Sequence, residues 1–155
     1  ELIGIGSSTK TFISAAILLL EEDGLLSIED TIGKWIQGYQ YITGDITIKQ
    51  LLNHTSGLYP YTTNTSFWNK INEDVSKEWS DEELLRTFLK PQVFAPGRGL
   101  EYNNTGYIVA GMIIKEVTGK PWYTVVRERI IDPLKLENTF IPPYEQVEGA
   151  MSEFF

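Results

Sequence analysis

Between Phe12 and Leu20 the chain is apolar apart from Ser14, and Glu21-Glu22-Asp23-Gly24 stops the run. This stretch is too apolar on every side for a surface helix and well short of the roughly 20 residues a bilayer crossing needs. Phe12, Ala15, Ala16, Leu19 and Leu20 fall near helical spacing, with Gly24 just past the end. The pattern predicts a buried helix from about Ser8 to Glu22, around which the other elements must pack. Lys10 ahead of the run gives it the outline of a signal peptide, but three acidic residues stand where small cleavage-site residues belong, which excludes that reading.

The remaining pattern is also mostly helical. Thr47 with Gln50 predicts a capped helix to His54, ended by Ser56-Gly57, and Ser80 with Glu83 opens another that stops before Pro91. After the Pro96-Gly97 turn, Tyr107, Ala110, Ile114 and Val117 line one face of a helix from Asn104 to Val117. Pro121 suits the first turn of a last helix reaching about Ile131. The stretch from Tyr59 to Trp79 reads as a long polar surface loop at the rim of a site. Glu1 to Ile5 is the one clear strand candidate, leading into the Gly4-x-Gly6-Ser7 turn.

Composition narrows the chemistry. Thirteen Lys and Arg against 21 Asp and Glu give a net charge of −8, which opposes nucleic-acid binding. Without cysteine there is no disulfide framework, thiolate zinc site or cysteine nucleophile. The single histidine, His54, leaves little room for a histidine-based metal site and makes a poor Ser-His-Asp triad. It reads as a buried, hydrogen-bonded structural residue.

Two constellations remain. In Ser7-Ser8-Thr9-Lys10, helical geometry sets Ser7 and Lys10 one turn apart on a shared face. Ser7 would sit at a helix N-terminus, where free N–H groups and the dipole favour developing negative charge. Lys10, held on an apolar helix, is a candidate base or proton shuttle for the serine hydroxyl. A lysine in a first turn opposes the dipole, so helix stability gives no reason for it. In Glu101-Tyr102-Asn103-Asn104, Tyr102 can relay a proton and Asn104 can offer a donor and an acceptor to an amide. The bland reading makes Asn104 a helix N-cap and Tyr102 a packing residue.

Taken together, Ser-x-x-Lys followed by Tyr-x-Asn resembles the penicillin-recognising serine hydrolases, in which Ser-x-x-Lys is a signature. The resemblance to the class C β-lactamase and DD-carboxypeptidase branch runs along nearly the whole chain. It is carried by Ile5-Gly-Ser-Ser-Thr-Lys-Thr-Phe12, Glu22-Asp-Gly-Leu-Leu-Ser-Ile-Glu-Asp30 and Ile46-Thr-Ile-Lys-Gln-Leu-Leu-Asn-His-Thr-Ser-Gly-Leu58. It continues through Ala95-Pro-Gly97, Tyr102-Asn-Asn-Thr-Gly-Tyr107, Ala110-Gly-Met112, Val117-Thr-Gly119 and Ile131-Asp-Pro-Leu134. Ser56-Gly-Leu-Tyr-Pro-Tyr61 leans toward the secreted Streptomyces-type DD-carboxypeptidases.

The resemblance implies a Ser7 acyl-enzyme, with Lys10 as activating partner, Tyr102 as proton shuttle, Asn104 contacting the substrate amide and the Ser7 N–H as half of an oxyanion hole. It implies no cofactor or metal. D-Ala-D-Ala-type peptides or β-lactams would be the substrates, with carboxylesterase or D-aminopeptidase chemistry as alternatives on the same fold. A non-catalytic penicillin sensor or scaffold is the alternative of another class. The expected address is extracytoplasmic.

Departures from the family pattern shape the fold expectation. Asn103 stands where Ser or Ala is usual, which would alter the pocket. The family's third motif, Lys or His, a small residue and Gly on a strand, has no match: Val117-Thr118-Gly119 lacks the basic residue and His54-Thr55-Ser56-Gly57 has the wrong spacing. The full family is α+β, an antiparallel sheet flanked by helices plus an all-helical subdomain. This chain reads as mainly the helical part, a partial domain over 1–155 with its nucleophile helix at about 8–22 and a helical subdomain at about 25–135. The C-terminal sheet is missing from it, and the resemblance implies that the chain by itself is inactive.

Overall fold

A computed structural model describes residues 2–147 of the chain. Helix α1 (Thr9–Glu22) lies at its centre. Its Ile13, Ala16, Ile17 and Leu20 are buried, while Leu18 stays half exposed, so one stripe of the apolar run faces outward. Against α1 pack α5 (Asn104–Thr118) and α6 (Trp122–Val126), which continues as a wider π-helical turn over Arg127–Ile131. Their Val109, Ala110, Ile113, Ile114, Val125, Val126 and Ile131 complete the core. Burying each of the Val and Ile side chains is worth about 1.5–3 kcal/mol, so this three-helix contact contributes strongly to cohesion.

On the other flank of α5 lies the short helix α2 (Ile48–Leu52). Thr47 and Gln50 cap it reciprocally as the spacing predicts. Gly106 permits the close crossing, since a Cβ there would stand 3.2 Å from the Leu51 carbonyl oxygen. α2 ends two residues before the expected His54, and the residue that turns the chain is His54 itself, in the left-handed region at φ 64. The Thr55 N–H reaches back to the Gln50 carbonyl at 3.0 Å, closing the helix end in the manner usually left to glycine.

Several sequence expectations are corrected here. The stretch from Tyr59 to Trp79 is no irregular loop: it holds a tight turn over Tyr61–Thr63 and helix α3 (Thr65–Glu73). Asn64 caps α3 through Ser66 N, and Phe67 anchors it edge-on against Tyr61 and Phe88. One buried aromatic in a polar sequence was too sparse for periodicity to register. Residues 3–5 join no strand, and Ile3 and Ile5 are exposed; Glu1 lies outside the described residues. The Ser80 and Glu83 box opens α4 (Asp81–Phe88) as expected. Apart from a bridge position at Leu2 and the antiparallel bridge between Thr31 and Thr47, the elements named among the described residues are helical.

The cap of α5 is Asn103, one residue before the expected Asn104. Its side-chain oxygen accepts from Gly106 N at 3.3 Å and its amide donates to the Leu58 carbonyl. Only 1% of Asn103 is exposed, so it faces the interior and does not alter the pocket as anticipated. Replacing it with Ala is expected to cost about 3 kcal/mol, the sum of a lost cap and an unsatisfied buried carbonyl. A denaturant titration of the variant checks this.

Candidate functional site

The site begins at the entry to α1. Gly6–Ser8 form a single 3-10 turn that runs directly into the helix, and no side chain caps it. Ser7 is therefore inside a helical turn, with its hydroxyl free of capping duty. Lys10 comes round one turn later and its Nζ donates to Ser7 Oγ at 3.2 Å. The same ammonium lies 5.0 Å from the centroid of the Tyr102 ring and 5.6 Å from that of Tyr107. Two electron-rich ring faces hold a cation in place without neutralising it, unlike a carboxylate. Among the described residues no ion pair engages Lys10.

Tyr102 arrives on the loop after Pro96-Gly97 and is half exposed. Hydrogen bonding from Lys10, then from Ser7, holds its phenol below the usual tyrosine pKa against a small opposing effect of burial. A cation next to the phenol favours the phenolate, which is what a proton acceptor at this position requires.

The loop carrying Tyr102 is fastened to the segment from His54 to Leu58. Val93 N donates to Gly57 O at 2.9 Å, Gly97 N to Thr55 O at 2.8 Å and Glu101 N to His54 O at 3.0 Å. Asn103 N donates to His54 Nδ1 at 3.1 Å. Gly57 makes the approach possible: at φ 73, a Cβ would stand 2.0 Å from the Phe94 carbonyl oxygen. His54 is half buried rather than buried, and its ring contacts Tyr102 and Tyr107 at centroid distances of 4.6 and 5.5 Å.

Ser7, Lys10 and Tyr102 thus share one open cleft of about 600 Å³, together with Thr11, Ser14, His54 and Tyr107. Asn104 does not line this cleft. As the first residue of α5, its amide donates to Thr62 Oγ1 at 3.4 Å, on the turn that precedes α3. A more enclosed apolar cavity of about 300 Å³ lies elsewhere, between residues 2–6, Phe12 and the 138–142 segment. It contains no paired nucleophile and base, so shape and chemistry point to different places, and chemistry decides.

Sequence reasoning missed Ser14 and Tyr107. Ser14 Oγ and Tyr107 OH are 3.0 Å apart, and Tyr107 OH donates to the Leu52 carbonyl at 2.9 Å. The hydroxyl pair ties α1, α2 and α5 together beneath Lys10. The available signal was the one polar residue in the Phe12–Leu20 run, four residues after Lys10 and so on the same face. Val117-Thr118-Gly119 is confirmed as a helix end, with Gly119 left-handed at φ 71.

Three comparisons set this geometry among known proteins. The chain is 32% identical over 142 residues to a penicillin-binding protein of Bacillus subtilis (strain 168), covering 90% of this chain and 30% of that protein. A D-stereospecific amidohydrolase from Streptomyces sp. superposes with a TM-score of 0.83 at 38% identity, over 89% of this chain and 44% of that one. The D-amino acid amidase from Ochrobactrum anthropi SV3 gives 0.78 at 32%, over 95% and 40%. The chain thus spans less than a third of the curated relatives it matches, 27% and 30% for two of them. The Beta-lactamase family model matches residues 1–150, and the chain belongs to that family.

Proposed function

We propose that this chain carries the nucleophile of a serine hydrolase that acts through a Ser7 acyl-enzyme on D-Ala-D-Ala-type peptides or β-lactams. The observation that carries the reading is Ser7 Oγ held 3.2 Å from Lys10 Nζ, with the Tyr102 ring 5.0 Å from the same ammonium. Ser7 Oγ attacks the acyl carbon while its proton passes to the Tyr102 phenolate, and Lys10 stabilises both oxygens electrostatically. Tyr102 returns that proton to the leaving nitrogen as the C–N bond breaks. A water deprotonated by the same phenolate then cleaves the ester, releasing the acid and restoring the Ser7 hydroxyl. Asn104, given to the substrate amide by the family resemblance, lies outside the cleft with its amide on Thr62 Oγ1, and would have to leave that partner to reach a substrate. The third-motif cation and the second oxyanion donor are assigned to parts of the protein outside this chain, and the reading includes an extracytoplasmic address.

A second reading, hydrolysis of D-amino acid amides, is favoured by the 38% identity to the D-stereospecific amidohydrolase. It uses the same acyl-enzyme and differs in the leaving group. The full-length protein is tested with a fluorescent penicillin, with Ser7→Ala as control. Covalent label on the wild type and none on the variant is expected; label that persists in the variant refutes the nucleophile. Release of D-Ala from a peptide alongside a stable penicillin adduct supports the carboxypeptidase, and fast turnover of a chromogenic cephalosporin supports a β-lactamase. Cleavage of a D-amino acid amide with weak labelling supports the amidase. Failure of all of these leaves the carboxylesterase and the non-catalytic alternatives, which hydrolysis of a chromogenic ester separates.

A further inference from the structure

We propose that His54 is a positioning residue that clamps Tyr102 against Lys10, working only as a neutral imidazole with its Nδ1 unprotonated. The inference rests on the reading of Tyr102 as the proton relay. The two backbone N–H groups that flank Tyr102 both end on His54: Glu101 N donates to its carbonyl at 3.0 Å and Asn103 N to its Nδ1 at 3.1 Å. Between these anchors the imidazole ring rests on the Tyr102 ring, 4.6 Å between centroids. One residue thus holds the main chain on both sides of the phenol and one face of its ring.

The backbone conformation argues the same way. His54 is left-handed at φ 64, at a helix end where glycine is the least strained choice. A side chain here costs conformational energy that a purely terminating residue has no reason to bear. Since a backbone N–H can only donate, Nδ1 must carry a lone pair, and the ring proton resides on Nε2.

The titratable groups facing the ring are Lys10 from α1, Tyr102 from its own loop and Tyr107 from α5. Protonation would set a donor against the Asn103 N–H and a second cation beside Lys10. Burial first, and the Lys10 charge second, accordingly keep His54 below the ordinary histidine pKa. The sign follows from that depression: the clamp is intact above the ordinary histidine range and is lost as pH falls from there through the lower folded value.

The test uses the full-length protein with His54→Asn and His54→Phe. Asn tolerates the left-handed backbone and offers Oδ1 where Nδ1 stood, without a titrating ring; Phe keeps a ring and removes the acceptor. Each background is titrated by ultraviolet difference against its own Tyr102→Phe version, which reads the Tyr102 phenol alone. Acylation by fluorescent penicillin is followed against pH. H54N keeps the acceptor and loses the ring contact: it is expected to hold the phenol midpoint near that of the wild type and to be acylated faster than H54F. It should also lose the added fall in rate below the ordinary histidine range, while the limb set by Tyr102 itself remains. H54F is expected to move the midpoint up toward that of free tyrosine and to slow acylation about tenfold or more, the scale of a misplaced catalytic group.

Unchanged phenol and rate in H54F, or damage in H54N equal to that in H54F, overturns the proposal. If H54F does not fold, H54N decides alone: a near-wild-type midpoint without the added fall below the histidine range supports the clamp, a raised midpoint refutes it. Should the wild type itself not be acylated, the acyl-enzyme reading fails, while the phenol titration still reports on the clamp.

Discussion

Replacing Lys10 with Met is expected to slow acylation of Ser7 by about 10³-fold while leaving the fold in place. The methionine stem fills much of the space of the lysine stem, so packing beside Ile13 and Ser14 on α1 is retained. What disappears is the charge within hydrogen-bonding reach of Ser7 Oγ and beside the Tyr102 ring. Both consequences act in the same direction. The serine loses its polarising partner, and the phenol, whose acidity depends first on Lys10, returns toward the ordinary tyrosine range. The residual rate should therefore rise with pH further into the alkaline region than that of the wild type. Rapid-mixing kinetics with a fluorescent penicillin across pH measure both effects. A K10M protein that is acylated at the wild-type rate would remove Lys10 from the mechanism.

Replacing Gly57 with Ala is expected to be the most damaging change made away from the cleft. Two costs combine. An alanine held at φ 73 is strained by about 1 kcal/mol. Its Cβ also meets a main-chain oxygen, that of Phe94, at 2.0 Å, and no rotamer change relieves a backbone clash. The loop from Val93 to Asn103 must move away, breaking the Val93 N to Gly57 O bond and pulling on the anchors around Tyr102. The expected loss is above about 3 kcal/mol of stability. In whatever fraction stays folded, acylation falls about 10²-fold, since a displacement near 1 Å at a reacting group has that effect. Thermal melting and acylation rate, measured on one preparation, separate the two. A G57A protein with wild-type melting would show that the loop can slide freely over the His54–Leu58 segment.

How much of this was legible in advance differs from element to element. The start of α1, the Thr47 and Ser80 caps and the Ser7 and Lys10 pair follow from spacings of three or four residues, which a helix converts directly into contact. Helix α3 stayed hidden because its buried contact is one phenylalanine, whose partners Tyr61 and Phe88 lie on other elements. Asn104 was the residue read as a possible cap of α5, and the structure gives that place to Asn103. The Leu58 carbonyl settles the matter by accepting the Asn103 amide, a contact between segments far apart in sequence. His54 was read as structural, and its hydrogen bond to Asn103 N agrees with that; what spacing could not reveal is that both of its anchors bracket Tyr102.

The sequence by itself therefore determined the helical periodicity, the absence of cysteine chemistry from this chain, and the pairing of serine with lysine one turn on. Only the tertiary structure decided which groups face that pair. Tyr102, Tyr107 and His54 reach Lys10 because α1 and α5 pack through their apolar stripes and because Gly57 lets one loop lie against another. The physical reason is that a helix fixes neighbours three and four residues apart through its own backbone. Contacts across tens of residues depend instead on how buried surfaces and unpaired polar groups are satisfied together.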